Sequence, residues 1–161
     1  MSVTVVKEYL SAWGKESQVL EFTVSSATVA LAAEALGTIE ARIAKTLAFA
    51  KGTTCILVVT AGDARINNRQ FKDQFGMKAK MLDIETTYQL TGHPIGGVCP
   101  FALPDENISV FLDKSLKRFE TVFPACGSPN SAIELTIDEL YTISKCVAWV
   151  DVCTGWNDQY T

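Results

Sequence analysis

The sequence predicts an α+β fold, a single domain in which a mixed sheet is covered by helices. The chain has 161 residues, enough for one domain with a substantial core. Two apolar segments, 42–50 and 54–60, are joined by "KGTT", which predicts a hairpin at the centre of the sheet. Strand pairs outnumber regular strand–helix–strand alternation, so a Rossmann-type parallel sheet is disfavoured.

The first half of the chain predicts two helices and a short strand before this hairpin. A helix is expected over 3–13, where apolar residues recur at helical spacing before Gly14. "QVLEF", residues 18–22, is typical of a short strand. "SSATVALAAEALG", residues 25–37, begins with capping serines and ends at a glycine, which predicts a second helix.

The second half alternates between short strands and helices. In chain order we predict a turn-rich break at 61–70, a helix at 68–76, a brief strand at 78–82 and a helix at 83–92. A Gly/Pro-rich loop with a strand-like piece follows at 93–104, and then a strand at 107–116 that runs into a turn. The last elements are two short strands within 121–135, a helix at 136–145 and a strand at 146–152. Thr136 and Glu139 are spaced as a capping box. The polar tail after this strand is expected to be loose.

Composition and charge exclude several classes of protein. The net charge of about −4 argues against a protein that coats nucleic acid through its overall field, although it allows a local contact with an RNA end. No apolar run is long enough for a signal peptide or a bilayer span. The five cysteines are scattered without CxxC spacing, and there is one histidine. We therefore expect a cytoplasmic protein with reduced thiols, no metal site and no cofactor.

Lys45 is the first candidate functional residue. In "IAKTLAFA", strand alternation puts Lys45 on the same face as Ile43, Leu47 and Phe49, where a core is expected. One interpretation is that the stem packs on the sheet while the amine reaches water or an acid. The other is that the amine points into a cavity, where it holds a carbonyl, a phosphate or a ribose hydroxyl.

The loop "TGHPIGGVCPF", residues 91–101, is the second candidate. Gly96 and Gly97 permit close approach of a ligand to the backbone, and its N–H groups can bind an oxyanion. The loop lacks both the Walker and the GxGxxG spacing, and a tight turn at a barrel corner explains it equally well. His93 and Cys99 raise the alternative of a Cys/His nucleophilic pair, but no orienting acid accompanies them.

Two further features are weaker signals. Residues 124–135 contain small and polar side chains that suit either a second rim loop or an ordinary hairpin turn. Basic residues concentrate in two places, and each patch suits either a polyanion or a solvated helix face. They are Arg65, Arg69, Lys72, Lys78 and Lys80 in the first, and Lys114, Lys117 and Arg118 in the second.

Six segments together resemble the YbaK/ProX family, the editing domain associated with prolyl-tRNA synthetase. They occur in the family's order and cover about residues 25–152, within a single domain that we assign to 1–161. These segments are "IAKTLAF", "VVTAGDARIN", "FGMKAKML", "TGHPIGGVCPF", "VFLDKSLKRF" and "GSPNSAIEL".

The resemblance implies a mixed, barrel-like sheet surrounded by helices. It also implies trans-editing, the hydrolysis of an amino acid wrongly attached to a tRNA, most often tRNA(Pro). Lys45 matches the family's functional lysine, and Gly96 and Gly97 match its glycine pair, so these three are the predicted catalytic residues. The predicted substrate-binding residues are Thr46, His93, Cys99, Gly127, Ser128, Asn130 and Ser131.

The implied chemistry requires no strong nucleophile, because an aminoacyl ester is already activated. Lys45 would anchor the terminal nucleotide or the ester, and N–H groups near Gly96 and Gly97 would stabilise the oxyanion, at about 3–4 kcal/mol per donor. The attacking group would be a cysteinyl substrate's own thiol, or water activated by the 2′-hydroxyl of the terminal adenosine. Ala132 stands where the cysteinyl-specific branch tends to carry aspartate, so the edited amino acid stays open.

The sequence is compatible with three functions. The first is a deacylase that acts on the acceptor end of a mischarged tRNA, with prolyl-tRNA synthetase or an elongation factor as partner. The second is a non-catalytic module that binds a nucleotide or an aminoacyl-tRNA in the same pocket. The third, a cysteine-dependent hydrolase, fits the loop composition poorly.

Overall fold

The fold is that of a computed structural model, which describes residues 2–157. The helices within this range are α1 (Ser2–Leu10), α2 (Val29–Leu36), α3 (Asn68–Phe75), α4 (Ile84–Thr91) and α5 (Ile137–Ile143). The strands are β1 (Leu20–Glu21), β2 (Ile43–Lys51), β3 (Thr54–Ala61), β4 (Arg65–Ile66), β5 (Ser109–Asp113), β6 (Thr121–Pro124), β7 (Ser131–Ala132), β8 (Leu135–Thr136), β9 (Ala148–Val150) and β10 (Cys153–Thr154).

Local capping defines most of the helix ends. In α2, α3, α4 and α5 a backbone N–H of the first turn donates a hydrogen bond to a side-chain oxygen of the N-cap residue. These N-cap residues are Thr28, Asn67, Asp83 and Thr136, respectively. In α5, Glu139 completes the predicted capping box. Glycines with positive φ end α2, α3 and α4, as glycine can adopt the left-handed conformation without steric cost.

Six strands form one mixed sheet in the order β8-β6-β2-β3-β5-β9, and it curls into a half-barrel. The β2–β3 hairpin lies at its centre and is antiparallel throughout. Parallel pairs join β2 to β6, β3 to β5 and β5 to β9, and β8 closes the other edge antiparallel to β6. Two small two-stranded sheets, β1–β7 and β4–β10, brace the loops around it. The predicted α+β class and the barrel-like sheet are confirmed.

One edge of β2 is divided between two partners, and this division positions the site. At its start, β2 pairs with β6 through Ile43 and Ala44. Towards its end, Ala48 accepts a hydrogen bond from Leu82 N–H, and Ala50 donates one to the Lys80 carbonyl. The residues between, 45–47, have no partner on this edge among the described strands. A notch therefore opens in the sheet beside the middle of β2.

The core surrounds β3, whose residues from Cys55 to Ala61 are all buried. Val6 and Leu10 of α1 are buried in the same cluster. An aromatic row links α3 to the sheet, with ring centroids 4.7 Å apart for Phe49–Phe71 and 4.9 Å apart for Phe75–Phe111. A smaller cluster joins Ile43 and Phe123 to the alanines of α2.

The predictions were wrong in three regions. Residues 78–82 form no named strand, although Met81 makes an isolated bridge to Phe49 and residues 80 and 82 bond to the edge of β2. Residues 93–104 contain no strand, because this segment packs through turns instead of pairing with the sheet. The tail is not loose from its start, since Cys153–Thr154 pairs with Arg65–Ile66 in the segment predicted only as a break. Residues 158–161 of the predicted loose tail lie outside the described residues. Within 2–157, no helix has the length and apolar character needed to cross a bilayer.

Candidate functional site

A cleft of about 280 Å³ occupies the notch beside β2. Its floor is apolar, with Ile43 and Phe123 at the base and α2 along one side. Leu82 and Ile84 form the opposite side, and the loop at Gly96 forms the rim. Lys45 is the one ionisable side chain among the described residues that line this cleft.

Lys45 lies between two helices that cover different parts of β2. Ile43 packs against α2, and Phe49 packs against Phe71 of α3. Strand alternation places Lys45 and Leu47 on the same face in the gap between these helices. The structure therefore answers the question raised by the sequence, because the lysine stands where neither helix covers the sheet.

The Lys45 amine is held by one backbone carbonyl. Its Nζ donates a hydrogen bond of 2.6 Å to the Ala64 oxygen, in the turn after β3. Burial is the main cause that lowers the pKa of Lys45 below its ordinary value, and Arg65 acts in the same direction, whereas Cys153 and Asp63 oppose it. An ammonium has three N–H donors. The others have no acceptor within residues 2–157, so they are available to a ligand in the cleft.

The turn that holds Lys45 is itself anchored by an ion pair. Both Arg118 terminal nitrogens bind the Asp63 carboxylate, at 2.6 and 2.9 Å. Arg118 is nearly inaccessible, and its Nε also donates to the Ser115 carbonyl. This fork-like geometry fixes the turn at residues 61–65 relative to the sheet. The sequence analysis placed Arg118 only in a basic patch, since nothing local indicated its partner.

Thr46 presents unpaired polar groups in the notch. Ala48 and Ala50 direct their backbone groups to the divided edge, and residues two apart on a strand direct them alike. The N–H and C=O of Thr46 therefore face the cleft. Its Oγ1 is buried without a hydrogen-bond partner among the described residues. A buried, unpaired hydroxyl costs about 1–3 kcal/mol.

The glycine loop is built by close packing. Gly96 has φ +80° in a turn closed by the bond from Gly97 N–H to the Pro94 carbonyl, 2.9 Å. A Cβ at Gly96 would lie 2.7 Å from that of Ala27, and one at Gly97 would lie 2.5 Å from the Ser128 nitrogen. Gly96 lines the cleft, and its N–H has no acceptor among residues 2–157. Gly97 does not line it, and its N–H is already bound.

His93 and Cys99 lie behind this loop, outside the residues that line the cleft. His93 Nε2 is 2.7 Å from the Phe101 carbonyl and its Nδ1 is 2.7 Å from the Ser2 hydroxyl. The first partner can only accept, so Nε2 carries the proton and Nδ1 accepts from Ser2. Burial lowers the pKa of His93, against the opposing effect of the Phe101 bond, and it raises that of Cys99 to about 12. A neutral, fully engaged imidazole beside a buried thiol is unsuited to nucleophilic attack.

Residues 127–131 form the second rim loop. Ser128 Oγ donates to Asn130 Oδ1, whose amide nitrogen donates in turn to the Phe22 carbonyl at 2.8 Å. Gly127 has φ +90°, and a Cβ there would meet Ser2. Of the four residues predicted here to bind substrate, Ser131 lines the cleft, while Gly127, Ser128 and Asn130 hold the loop in place behind it.

Several lining residues were missed by the sequence analysis. Ser26 was predicted only as a cap of α2, whose N-cap is Thr28 instead, and both residues line the cleft. Thr87 of α4 lines the far side. A capping serine or threonine gives no sequence signal of what it faces. For metals, no three His, Cys, Asp or Glu side chains of residues 2–157 are grouped as ligands, and all five cysteines are free thiols.

Comparison with known proteins provides an independent line of evidence. The sequence model of the aminoacyl-tRNA editing domain family matches residues 23–143. The chain is 52% identical over 157 residues to the uncharacterised protein YwhH of Bacillus subtilis (strain 168), which covers 97% of this chain and 99% of that one.

Solved structures agree with this assignment. A proposed trans-editing enzyme for prolyl-tRNA synthetase superposes with a TM-score of 0.85 at 26% identity, over 96% of this chain and 98% of that one. The hypothetical protein APE2540 superposes with a TM-score of 0.77 at 30% identity, over 91% of this chain and 99% of that one.

Proposed function

Because this chain belongs to the aminoacyl-tRNA editing domain family, we propose that it is a deacylase that hydrolyses the ester of a mischarged tRNA in trans, with tRNA(Pro) as the carrier. The observation that carries the proposal is the cleft with Lys45 as its ionisable group. The relative named for prolyl-tRNA synthetase supports the choice of tRNA. We place the reaction in the cytosol, with that synthetase or an elongation factor delivering the substrate.

The chemistry follows from what the cleft offers and what it lacks. Among the described lining residues there is no carboxylate, imidazole or thiol to act as a base or nucleophile. In our proposal the ester is attacked by water or by a hydroxyl or thiol of the substrate itself. The cleft contributes by holding the ester carbon beside that nucleophile and by excluding bulk solvent.

Lys45 supplies the positive charge. Its free N–H donors bind the terminal ribose or the ester oxygens, while Ala64 fixes the amine in place. Negative charge develops on the carbonyl oxygen as the nucleophile adds, and an ammonium in a partly buried site stabilises it more than water would. The carbon–oxygen bond to the tRNA then breaks, and the departing ribose oxygen takes the proton that the attacking water, hydroxyl or thiol gives up.

Gly96 supplies the second oxyanion donor. Gly96 lines the cleft and its N–H has no acceptor in the described structure, whereas the N–H of Gly97 donates to the Pro94 carbonyl. Thr46 and Ser131 contact the aminoacyl group from the divided edge of the sheet. The substrate-binding roles predicted for His93, Cys99, Gly127, Ser128 and Asn130 stay predictions, and in our proposal these residues support the two rim loops.

A panel of mischarged tRNAs tests the proposal directly. We expect the protein to release the amino acid from at least one mischarged tRNA(Pro) and to spare correctly charged Pro-tRNA(Pro). Lys45→Ala should lower the rate at least about a hundredfold without loss of fold, by circular dichroism and thermal melting. Lys51→Ala, an exposed lysine at the end of the same strand, is the matched control.

The alternative is a binding module that holds an aminoacyl-tRNA without hydrolysis. Near-normal turnover by Lys45→Ala would remove the lysine from the mechanism. Tight binding of charged tRNA with no release from any member of the panel would establish the binding module instead.

A further inference from the structure

A second hollow, separate from the cleft, lies between α3 and the segment that follows it. It has a volume of about 410 Å³ and is lined by Asn68, Arg69, Lys72, Lys78 and Ala79. Three of these five residues are cations, and none is acidic. We call this feature the basic hollow.

The cations of the basic hollow form no ion pair with a carboxylate of residues 2–157. The ion pairs found within residues 2–157 use Lys7, Lys15, Arg42, Lys114 and Arg118. Arg69, Lys72 and Lys78 are exposed and pair with no carboxylate in that range. Arg69 and Lys72 also lie one helical turn apart on the same face of α3, where like charges repel. An acidic protein with a net charge of −4 thus concentrates unpaired cations around one concavity.

The backbone of α3 adds to this positive field. The hollow lies at the first turn of the helix, where Asn68 and Arg69 contribute side chains and where unpaired N–H groups carry partial positive charge. An anion with several oxygens, held at more than one point, would satisfy these donors. A phosphate group has this character, and Arg and Lys are the side chains that bind it.

The basic hollow leads directly to the cleft. Residues 78–82 run from the hollow along the divided edge of β2, where Lys80 and Leu82 bond to Ala50 and Ala48. Leu82 already lines the cleft. In extended conformation this path from Lys78 to Leu82 is about 13 Å long. If the terminus of a polyanion occupies the cleft, its neighbouring negative charges would therefore lie beside the basic hollow.

We propose that the basic hollow binds backbone phosphates of the tRNA acceptor end, next to the terminal nucleotide held in the cleft. The inference rests on the proposed function for the identity of the RNA. It explains how an acidic protein acquires affinity for tRNA, since local cations release counterions where the overall charge would repel. Binding here is insensitive to sequence, because phosphates position the strand without reading the bases.

The test compares two triple variants with the same change in net charge. The first, R69Q/K72Q/K78Q, removes the cations of the hollow. The control, K51Q/K117Q/K145Q, removes three exposed lysines elsewhere that form no ion pair among the described residues. Binding of uncharged tRNA(Pro) transcript is measured over a range of salt concentrations. Hydrolysis is measured on mischarged tRNA and on a 3′-aminoacyl-adenosine, which carries the ester but no phosphate.

We expect the hollow variant to lose at least about tenfold in tRNA affinity and to show a salt slope shallower by about 2–3, one unit for each lost phosphate contact. Its kcat/KM should fall on mischarged tRNA and remain within twofold of wild type on the aminoacyl-adenosine, which carries no phosphate for the hollow to bind. The control variant should change affinity less than threefold.

Equal losses in the two variants would overturn the inference, because they would assign the effect to net charge alone. Competition by a polyglutamate peptide as effective as that by RNA of equal charge would also overturn it. If wild type hydrolyses no ester, the proposed function fails, while a selective loss of tRNA binding in the hollow variant still supports the hollow as an RNA site. If wild type hydrolyses and the hollow variant binds tRNA normally, the inference alone fails.

Discussion

At the residue scale, Lys45 shows what a sequence can and cannot reveal. Strand alternation predicts that it shares a face with apolar side chains, and the structure places it there. The Ala64 carbonyl that fixes its amine lies 19 residues later and is brought close only by the fold. The same holds for Thr46, whose exposed backbone groups depend on which strands fail to pair beside it.

The single histidine provides a prediction on pH and stability. The unfolded chain protonates His93 near pH 6.5, whereas burial keeps the folded imidazole neutral to lower pH. Below about pH 6.5 the unfolded state therefore binds more protons, and the free energy of unfolding falls as the pH falls, by at most about 1.4 kcal/mol per pH unit. Urea titrations between pH 7 and 5 should show this decline, and His93→Gln should flatten it.

The pH range of 7 to 5 is chosen so that carboxyl groups do not contribute to the measured change in stability. Ordinary carboxyl groups titrate near pH 4, and hydrogen bonds hold the pKa values of two of them lower still, from Thr86 to Asp83 and chiefly from Lys15 to Glu139. Their contribution to stability is lost only below this range. Identical pH slopes for wild type and His93→Gln would contradict the buried, neutral histidine described above.

Cys99 gives a second prediction at this scale. With the thiol buried and its pKa raised to about 12, no thiolate is present near neutral pH. Cys99→Ala should keep deacylation within about twofold of wild type while it lowers the free energy of unfolding by about 1 kcal/mol through the small cavity. Steady-state kinetics and chemical denaturation measure the two effects. Loss of turnover in a folded variant would restore the cysteine-dependent mechanism.

At the element scale, the sequence predicted helix ends and the β2–β3 hairpin, whereas it gave no signal for pairing between distant segments. The helix ends at Gly37, Gly76 and Gly92 and the capping box of α5 depend on neighbours in sequence, and they are as predicted. The β4–β10 pair joins segments nearly 90 residues apart, and each strand is only two residues long. Such short strands carry no periodicity, so their existence depends on the finished fold.

The glycine loop gives a prediction that separates steric from conformational cost. A Cβ at Gly97 would lie 2.5 Å from the Ser128 nitrogen and 2.6 Å from the Gly127 carbonyl carbon. Gly97→Ala must push the two rim loops apart, at a cost of about 2 kcal/mol in the free energy of unfolding, and should lower deacylation by displacing Gly96. Thermal melts and kinetics on mischarged tRNA measure both effects.

Gly14→Ala serves as the reference for this experiment. Gly14 has φ +67° and open space around its missing Cβ, so the substitution costs only the left-handed conformation, about 1 kcal/mol, far from the cleft. Activity should be unchanged in this variant. A Gly97→Ala protein as stable and active as wild type would show that the loops do not pack as closely as described.

At the scale of the whole molecule, the Asp63–Arg118 pair connects the site to the far side of the sheet. Arg118 belongs to the turn after β5, and Asp63 belongs to the turn after β3 that presents Ala64 to Lys45. The two turns are 55 residues apart in sequence. The geometry of the cleft therefore depends on how the strands assemble, which explains why the sequence identified the lysine but not its support.

Removing the charge of Asp63 tests this connection. Asp63→Asn leaves a nearly inaccessible guanidinium without its carboxylate and should lower the free energy of unfolding by about 3 kcal/mol. Deacylation should also fall, since the turn that holds Lys45 is released. Glu21→Gln breaks the exposed Lys7–Glu21 pair and should cost less than about 1 kcal/mol. Equal stability of the two variants would contradict the role given to the buried pair.

The notch in the sheet has a consequence for how this protein behaves at high concentration. A strand with bare N–H and C=O groups is ordinarily a template for another chain, and it invites aggregation. Here the bare stretch is three residues, about 10 Å, and it is closed at both ends by β6 and by residues 80–82. An added strand would find too few partners to remain attached. The protein can thus keep unpaired backbone N–H and C=O groups accessible to a small ligand without providing a template for fibril formation.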